Sequence, residues 1–166
     1  GYFHMNDSNT NVGGWKDSSM RKTLLGNSNS PTSPLANSLM AALPSDLRAV
    51  MKSVTKYTDN TGNASNSSGN VTATTDYLWL LAEFEVQGGR SYANQYEQNS
   101  QLQYDYYKAG NSKIAYKHTA VGTAVWWWLR SPYYTSGTNF CYVATGGGYA
   151  DYNAYYSAAL LPGFAT

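Results

Sequence analysis

Between Tyr133 and Ala158 the chain places seven of its sixteen tyrosines among Ser, Thr, Gly, Asn, Asp and Ala, with no Lys, Arg, Glu, Gln, His, Trp or Met. The chemistry open to such a segment is recognition. Tyr supplies a large, stiff, amphipathic contact with few torsions to freeze, and small polar neighbours adapt around it, the residue economy of antibody paratopes. A second regularity lies in the codons. Tyr, Asp, Asn, Ser, Thr, Gly and Ala are all reached from an asparagine codon, AAC or AAT, by changing only its two adenines. Lys, Glu, Gln, Trp and Met are not, and they are missing. All eleven Lys and Arg precede Ser131, and Asp151 is the only charged residue of the segment, so contacts there are made by shape and hydrogen bonds.

Other residues with chemical potential are sparse. Two histidines, His4 and His118, are the only bases available to a Ser-His-Asp or Cys-His relay, and the KHTA context of His118 has no recognisable nucleophile motif. Gly146, Gly147 and Gly148 lack the Lys-Ser/Thr and the helix of a phosphate-cradling loop. Asp7, Asn9 and Asn11 imitate the first ligands of a calcium loop, but Gly13 falls one position late and Ser18 stands where a bidentate acid is needed. Glu83 and Glu85, two apart, would share one side of a strand with Phe84 opposite, which suits a structural or solvated polar face better than a catalytic pair. Cys141, the single cysteine, allows no internal disulfide and reads as a small apolar strand residue. No enzyme, no metal and no cofactor is expected.

The 166 residues suit one domain, large enough to bury roughly two thirds of its unfolded surface. A net charge of +1 with 13% charged residues offers no field for nucleic acid. No apolar run approaches a membrane span and no signal-peptide pattern opens the chain, so membrane insertion is not expected. Sequons at Asn6, Asn63, Asn66 and Asn70 arise readily by chance in an Asn- and Ser-rich chain.

The elements that must position the tyrosines follow from periodicity and breakers. After Trp15 a short helix capped by Asp17 or Ser18 puts Met20, Thr23 and Leu24 on one face and stops at Gly26. Leu35, Leu39 and Leu43 mark a second helix that Pro44 ends or follows with a new first turn, and Leu47, Val50, Met51 and Val54 a third amphipathic face. A flexible polar loop is expected from Thr58 to Gly69, a strand from Val71 to Thr75, and a buried strand or strand into short helix from Tyr77 to Val86. Gly88 to Lys117 reads as loops. Trp126 to Leu129, Asn139 to Val143 and Ala158 to Leu161 read as strands, with Gly146 to Gly148 as a turn. Helices first and strands after suggest α+β with a small antiparallel sheet and long loops. Within the Asn139 to Val143 strand, Phe140 and Tyr142 share one face and Cys141 and Val143 the other, so alternate positions are free to vary.

The blocks GGWKDSSMR, LPSDLRAVMKSVTK, TTDYLWLLAEFEV, YYKAGNSK and WWWLRSP, with Phe140-Cys141 and the ending Leu161 to Phe164, give the whole chain a resemblance. It resembles a bacterial and phage domain family of uncharacterised function, common in the gut, with a C-type-lectin-like fold of the formylglycine-generating-enzyme-like branch. Some members are variable proteins of diversity-generating retroelements, whose adenine-mutating reverse transcriptase rewrites the C-terminal coding segment. The resemblance implies one domain over residues 1–166 with a variable region at about 133–158. Its ligand-binding positions would be Tyr133, Tyr134, Ser136, Tyr142, Ala144, Gly146, Gly148, Tyr149, Asp151, Tyr152, Asn153, Tyr155 and Tyr156, with Phe140, Cys141, Val143 and Ala154 as scaffold. The implied partner is a protein or cell-surface ligand, with a glycan bound by an undiversified adhesin module as the alternative. The implied location is the cell surface or a phage particle. The cysteine pair on which the formylglycine-generating enzymes depend is missing, as are the Glu-Pro-Asn and Gln-Pro-Asp calcium motifs of animal lectins.

Overall fold

The computed structural model describes residues 2–166. Closely spaced glycines and prolines keep every helix short. Helix α1 (Gly14–Asp17) follows the left-handed Gly13 (φ 86°), and a π turn over Met20–Leu24 replaces the α-helix expected there. Ser19, not Asp17 or Ser18, is the N-cap of that turn, although the Ser18 hydroxyl does accept the Arg21 N–H at 3.1 Å. The Leu35, Leu39, Leu43 spacing yields only α2 (Leu39–Ala42), because Leu43 turns extended (ψ 148°) ahead of Pro44. Pro44 opens α3 (Ser45–Val50). The predicted third apolar face fails as a core stripe: α3 buries no residue, Val50 is 55% exposed, and only Met51, just beyond it, enters the core.

Strand β1 (Val54–Asp59) pairs antiparallel with β2 (Val71–Asp76), Val54 opposite Asp76 and Asp59 opposite Val71. The connection is anchored rather than free. Asp59 Oδ1 accepts the N–H groups of Thr61 (2.9 Å) and Gly62 (2.8 Å), Asn11 Oδ1 accepts that of Asn63 (2.8 Å), and Asn66 Oδ1 that of Gln95 (2.9 Å). Strand β3 (Trp79–Leu80) runs into α4 (Glu83–Gln87), so Glu83 and Glu85 lie on a helix and not on a strand. The excursion that follows contains a 3-10 turn at Glu97–Asn99, helix α5 (Asp105–Lys108) and a hairpin of β4 (Ala115–Lys117) and β5 (Ala120–Val125), elements that its composition concealed.

Strands β6 (Trp127–Pro132), β7 (Asn139–Val143) and β8 (Tyr149–Asn153) form a three-stranded antiparallel sheet in that order. Ala158 to Leu161 is not a strand. Ala158 bridges Phe3 and Ala159 bridges Trp127, and the chain closes with β9 (Pro162–Gly163) against β3. Helices and strands thus interleave, and the architecture is α+β, with short helices and small antiparallel sheets. One apolar cluster unites them, centred on Trp15, Met20, Trp127, Trp128 and Phe140, all fully buried, each side chain worth about 2–3 kcal/mol in surface removed from water. No helix among the described residues is long and apolar enough to cross a membrane.

Candidate functional site

The tyrosine segment is carried by β7 and β8 and the turns at their ends. Phe140 pairs with Tyr152, Cys141 with Asp151 and Tyr142 with Ala150. Strand alternation therefore sends Tyr142 and Tyr152 to one face and Cys141 and Asp151 to the other. On the first face an aromatic row forms. The Trp126 ring lies 4.7 Å from Tyr142 and 5.8 Å from Tyr152, Tyr152 lies 4.5 Å from Tyr156, and Tyr156 lies 4.7 Å from Tyr155. On the second face Asn139 Nδ2 donates to Asp151 Oδ1 at 2.6 Å, and Cys141 Sγ, buried, meets Glu83 Oε2 at 3.5 Å. Burial and the neighbouring carboxylates push the Cys141 thiol well above its usual range, so it stays neutral.

A second aromatic group sits at the end of β6. Tyr133 packs edge-on against Tyr92 at 5.1 Å and Tyr134 at 5.7 Å, and the Arg90 guanidinium stacks over Tyr134 at 5.1 Å. Sequence reading gave no part to Tyr92 or Arg90 and read Trp126 as the first residue of a strand; all three join these rows from outside the 133–158 segment.

All thirteen positions named above are exposed or half-buried, and the four interspersed scaffold positions, Phe140, Cys141, Val143 and Ala154, are fully buried. The glycines divide the same way. A Cβ built on Gly146 or Gly148 meets nothing within 4 Å, whereas Gly147 between them holds the left-handed φ of 86° that closes the turn. Some members also order the backbone. Ser136 Oγ accepts the N–H groups of Thr138 (3.1 Å) and Asn139 (3.2 Å), and Asn153 Oδ1 accepts from the Thr138 hydroxyl at 3.2 Å. Asn11, fully buried, donates Nδ2 to the Ser136 (2.6 Å) and Asn139 (2.8 Å) carbonyls and so fastens the Tyr133–Asn139 turn to the Asn63 loop. Its amide serves as a staple, far from the calcium-loop pattern its spacing imitates.

Beneath the sheet lies a polar network that the sequence did not announce. Arg130, with no exposed surface, gives Nη1 to Glu85 Oε2 (2.6 Å) and Nη2 to Glu85 Oε1 (2.9 Å), with Nε on the Thr58 hydroxyl (2.6 Å) and Nη1 also on the Leu80 carbonyl (2.8 Å). Burial works against the Glu85 charge, yet the Arg130 charge and hydrogen bonds prevail and hold its carboxyl below the ordinary value. Ser131 Oγ donates to Glu97 Oε2 at 2.7 Å, and the Asp59 N–H to Glu97 Oε1 at 2.9 Å. Burial outweighs these bonds and pushes Glu97 up to about 7. Glu83 accepts the N–H groups of Ser91, Tyr92 and Ala93, fixing the loop that carries Tyr92. Both α4 carboxylates are thus structural. The histidines lie elsewhere: His4 pairs with Asp7 at 2.8 Å, and His118 occupies the β4–β5 turn.

The chain belongs to the family described as a domain of unknown function, DUF6273, whose model matches residues 3–165. No curated protein and no solved structure matches it.

Proposed function

We propose that this chain is a ligand-binding protein that displays a hypervariable, tyrosine-rich surface on a C-type-lectin-like scaffold, diversified by adenine-directed mutagenic retrohoming. The observation that carries the reading is the burial pattern of a segment that lacks Lys, Glu, Gln, Trp and Met, the types that adenine changes in an asparagine codon cannot give. The thirteen positions are exposed or half-buried, while Phe140, Cys141, Val143 and Ala154 interspersed with them are fully buried. The open space at Gly146 and Gly148 beside the constrained Gly147 supports the same division. Partner selection would act through Tyr142, Tyr152, Tyr155 and Tyr156 around Trp126, and through Tyr133 and Tyr134 near Arg90. Engaged tyrosines at an interface centre contribute on the order of 2 kcal/mol each, enough in small groups for micromolar binding. The protein would work at a cell surface or on a phage particle.

The test is the DNA around the gene. An imperfect repeat of the Tyr133 to Ala158 coding segment, differing only at adenines and near a reverse transcriptase gene, establishes diversification. A complete locus without one removes it. A second reading, an undiversified glycan-binding adhesin, draws on the half-buried Trp126 indole between Tyr142 and Tyr152, since such faces also stack on sugar rings. Titration with a glycan panel, with and without calcium, separates the two.

A further inference from the structure

Strand β8 is an edge strand, and its outer edge is open. The Ala144 N–H donates to the Gly148 carbonyl (3.0 Å) and the Ala154 N–H to the Thr138 carbonyl (2.9 Å), which sets the phase of the β7–β8 ladder. Gly148, Ala150, Tyr152 and Ala154 direct their backbone groups inward to β7. Tyr149, Asp151 and Asn153 direct theirs outward. Among the described residues the N–H groups of all three, and the carbonyls of Tyr149 and Asp151, meet no partner; the Asn153 carbonyl accepts the Tyr156 N–H at 3.1 Å. Five unpaired groups in a row two residues apart are complementary to the backbone of another extended strand. Of the usual guards of an edge, β8 has no Pro, no Lys and no bulge, and Asp151 is its one charge.

From this edge we propose that the protein captures an extended segment of a partner polypeptide, which adds to the sheet as a fourth strand beside β8. The proposal rests on the binding reading of the tyrosines for its choice of partner sequence. Main-chain bonds along Tyr149, Asp151 and Asn153 supply affinity that no diversification can remove, because they use no side chain. The flanking residues supply selection, Tyr152 above one face and Tyr149 and Asp151 on the other. Asp151 is the only charge on the strand, and only its Oδ1 is occupied, by Asn139, so a Lys, Arg or hydroxyl residue fits across from it. A second copy of this chain is the poorer occupant. A two-fold antiparallel pairing centred on Asp151 would set two carboxylates against each other.

The probe is a library of random linear dodecapeptides panned on the whole protein, with the enriched peptides synthesised and their affinities measured. Asp151→Pro removes an outward N–H and no β7–β8 bond, and Asp151→Ala removes the same side chain with the N–H kept. The expected result is binding weakened roughly thirtyfold by D151P beyond the effect of D151A, the loss of one backbone bond with the facing peptide carbonyl left unpaired. Should D151P not fold, alternate N-methylation of the peptide replaces it. Methyl groups on one set of alternate amides then abolish binding, and on the other set leave it. Five results overturn the proposal. The first two are peptides that bind D151P and D151A equally and peptides that tolerate methylation on both sets of amides. Peptides that bind D151P unchanged but are lost on Tyr152→Ala/Tyr155→Ala overturn strand addition and leave the tyrosine surface standing. Failure to enrich any linear peptide, or a concentration-dependent dimer abolished by D151P, overturns it as well.

Discussion

Arg130 and Glu85 meet in the interior through two parallel hydrogen bonds of 2.6 and 2.9 Å, with the arginine wholly buried. Through Arg130 the Trp127 to Pro132 block becomes an internal strut joining β6 to α4, β1 and β3. Removing Arg130 leaves the buried Glu85 carboxylate with only the longer contact to Lys56, at 3.5 Å, as its counter-charge. Arg130→Ala is therefore expected to cost about 3–5 kcal/mol in urea denaturation. The double change Arg130→Met with Glu85→Leu should recover much of that loss. A single change that costs less than about 1 kcal/mol would show the pair to be solvated in solution.

Glu97 gives the stability curve a defined slope. Its folded pKa of about 7 stands above the ordinary 4.5, so the folded state holds a proton that the unfolded chain has released between those values. Stability is greatest below pH 4.5 as far as this group is concerned, declines as pH rises from 4.5 to 7, and is level above, a total of roughly 3 kcal/mol. Glu85, held low, contributes with the opposite sign and below pH 4.5. Unfolding free energies of wild type and Glu97→Gln across pH 4.5 to 8 isolate the slope as their difference. Parallel curves refute the assignment.

The turn between β7 and β8 should separate its three glycines. Gly146→Ser and Gly148→Ser enter open space and are expected to shift stability by less than about 0.5 kcal/mol. Gly147→Ser forces a Cβ into the left-handed region and should cost about 1 kcal/mol or more. Thermal denaturation of the three variants suffices, and equal costs would contradict the backbone assigned to this turn.

Tyr152 and Tyr155 are 39% and 46% exposed and touch other aromatic rings more than the core. The Tyr152→Ala/Tyr155→Ala double variant should keep its near-UV circular dichroism in the tryptophan bands and lose no more than about 1–2 kcal/mol of stability. Affinity for any peptide or protein selected on the wild type should fall. Unfolding of the variant would mean that these rings hold the scaffold together.

Much of the site was legible because it rests on local rules. The strand at Asn139 to Val143, the turn at Gly146 to Gly148 and the vocabulary of the segment all read directly from the sequence, but burial along that strand does not alternate, since Phe140, on the face of Tyr142, is as buried as Cys141 and Val143. The helices were overread: a four-residue leucine spacing says which side chains could align, whereas Pro44 and the exposure of α3 decided how little helix formed. The loop after Asp59 was misjudged for another reason. Its anchors come from Asn11 and Asn94, distant in the chain, the latter donating to Asp59 Oδ2 at 2.9 Å and to the Ser67 carbonyl at 3.0 Å.

By itself the sequence determined a nearly uncharged C-terminal segment of tyrosines and small residues, the strand through Asn139 to Val143 and the α+β class, since these depend on residue type and nearest neighbours. Only the tertiary structure decided that Glu83 and Glu85 bind Arg130 and loop amides from a helix, that Trp126 and Arg90 join the tyrosines, and that the edge of β8 stays open. Each of these depends on which distant backbone or charge comes within hydrogen-bonding reach, a long-range outcome that no local spacing encodes.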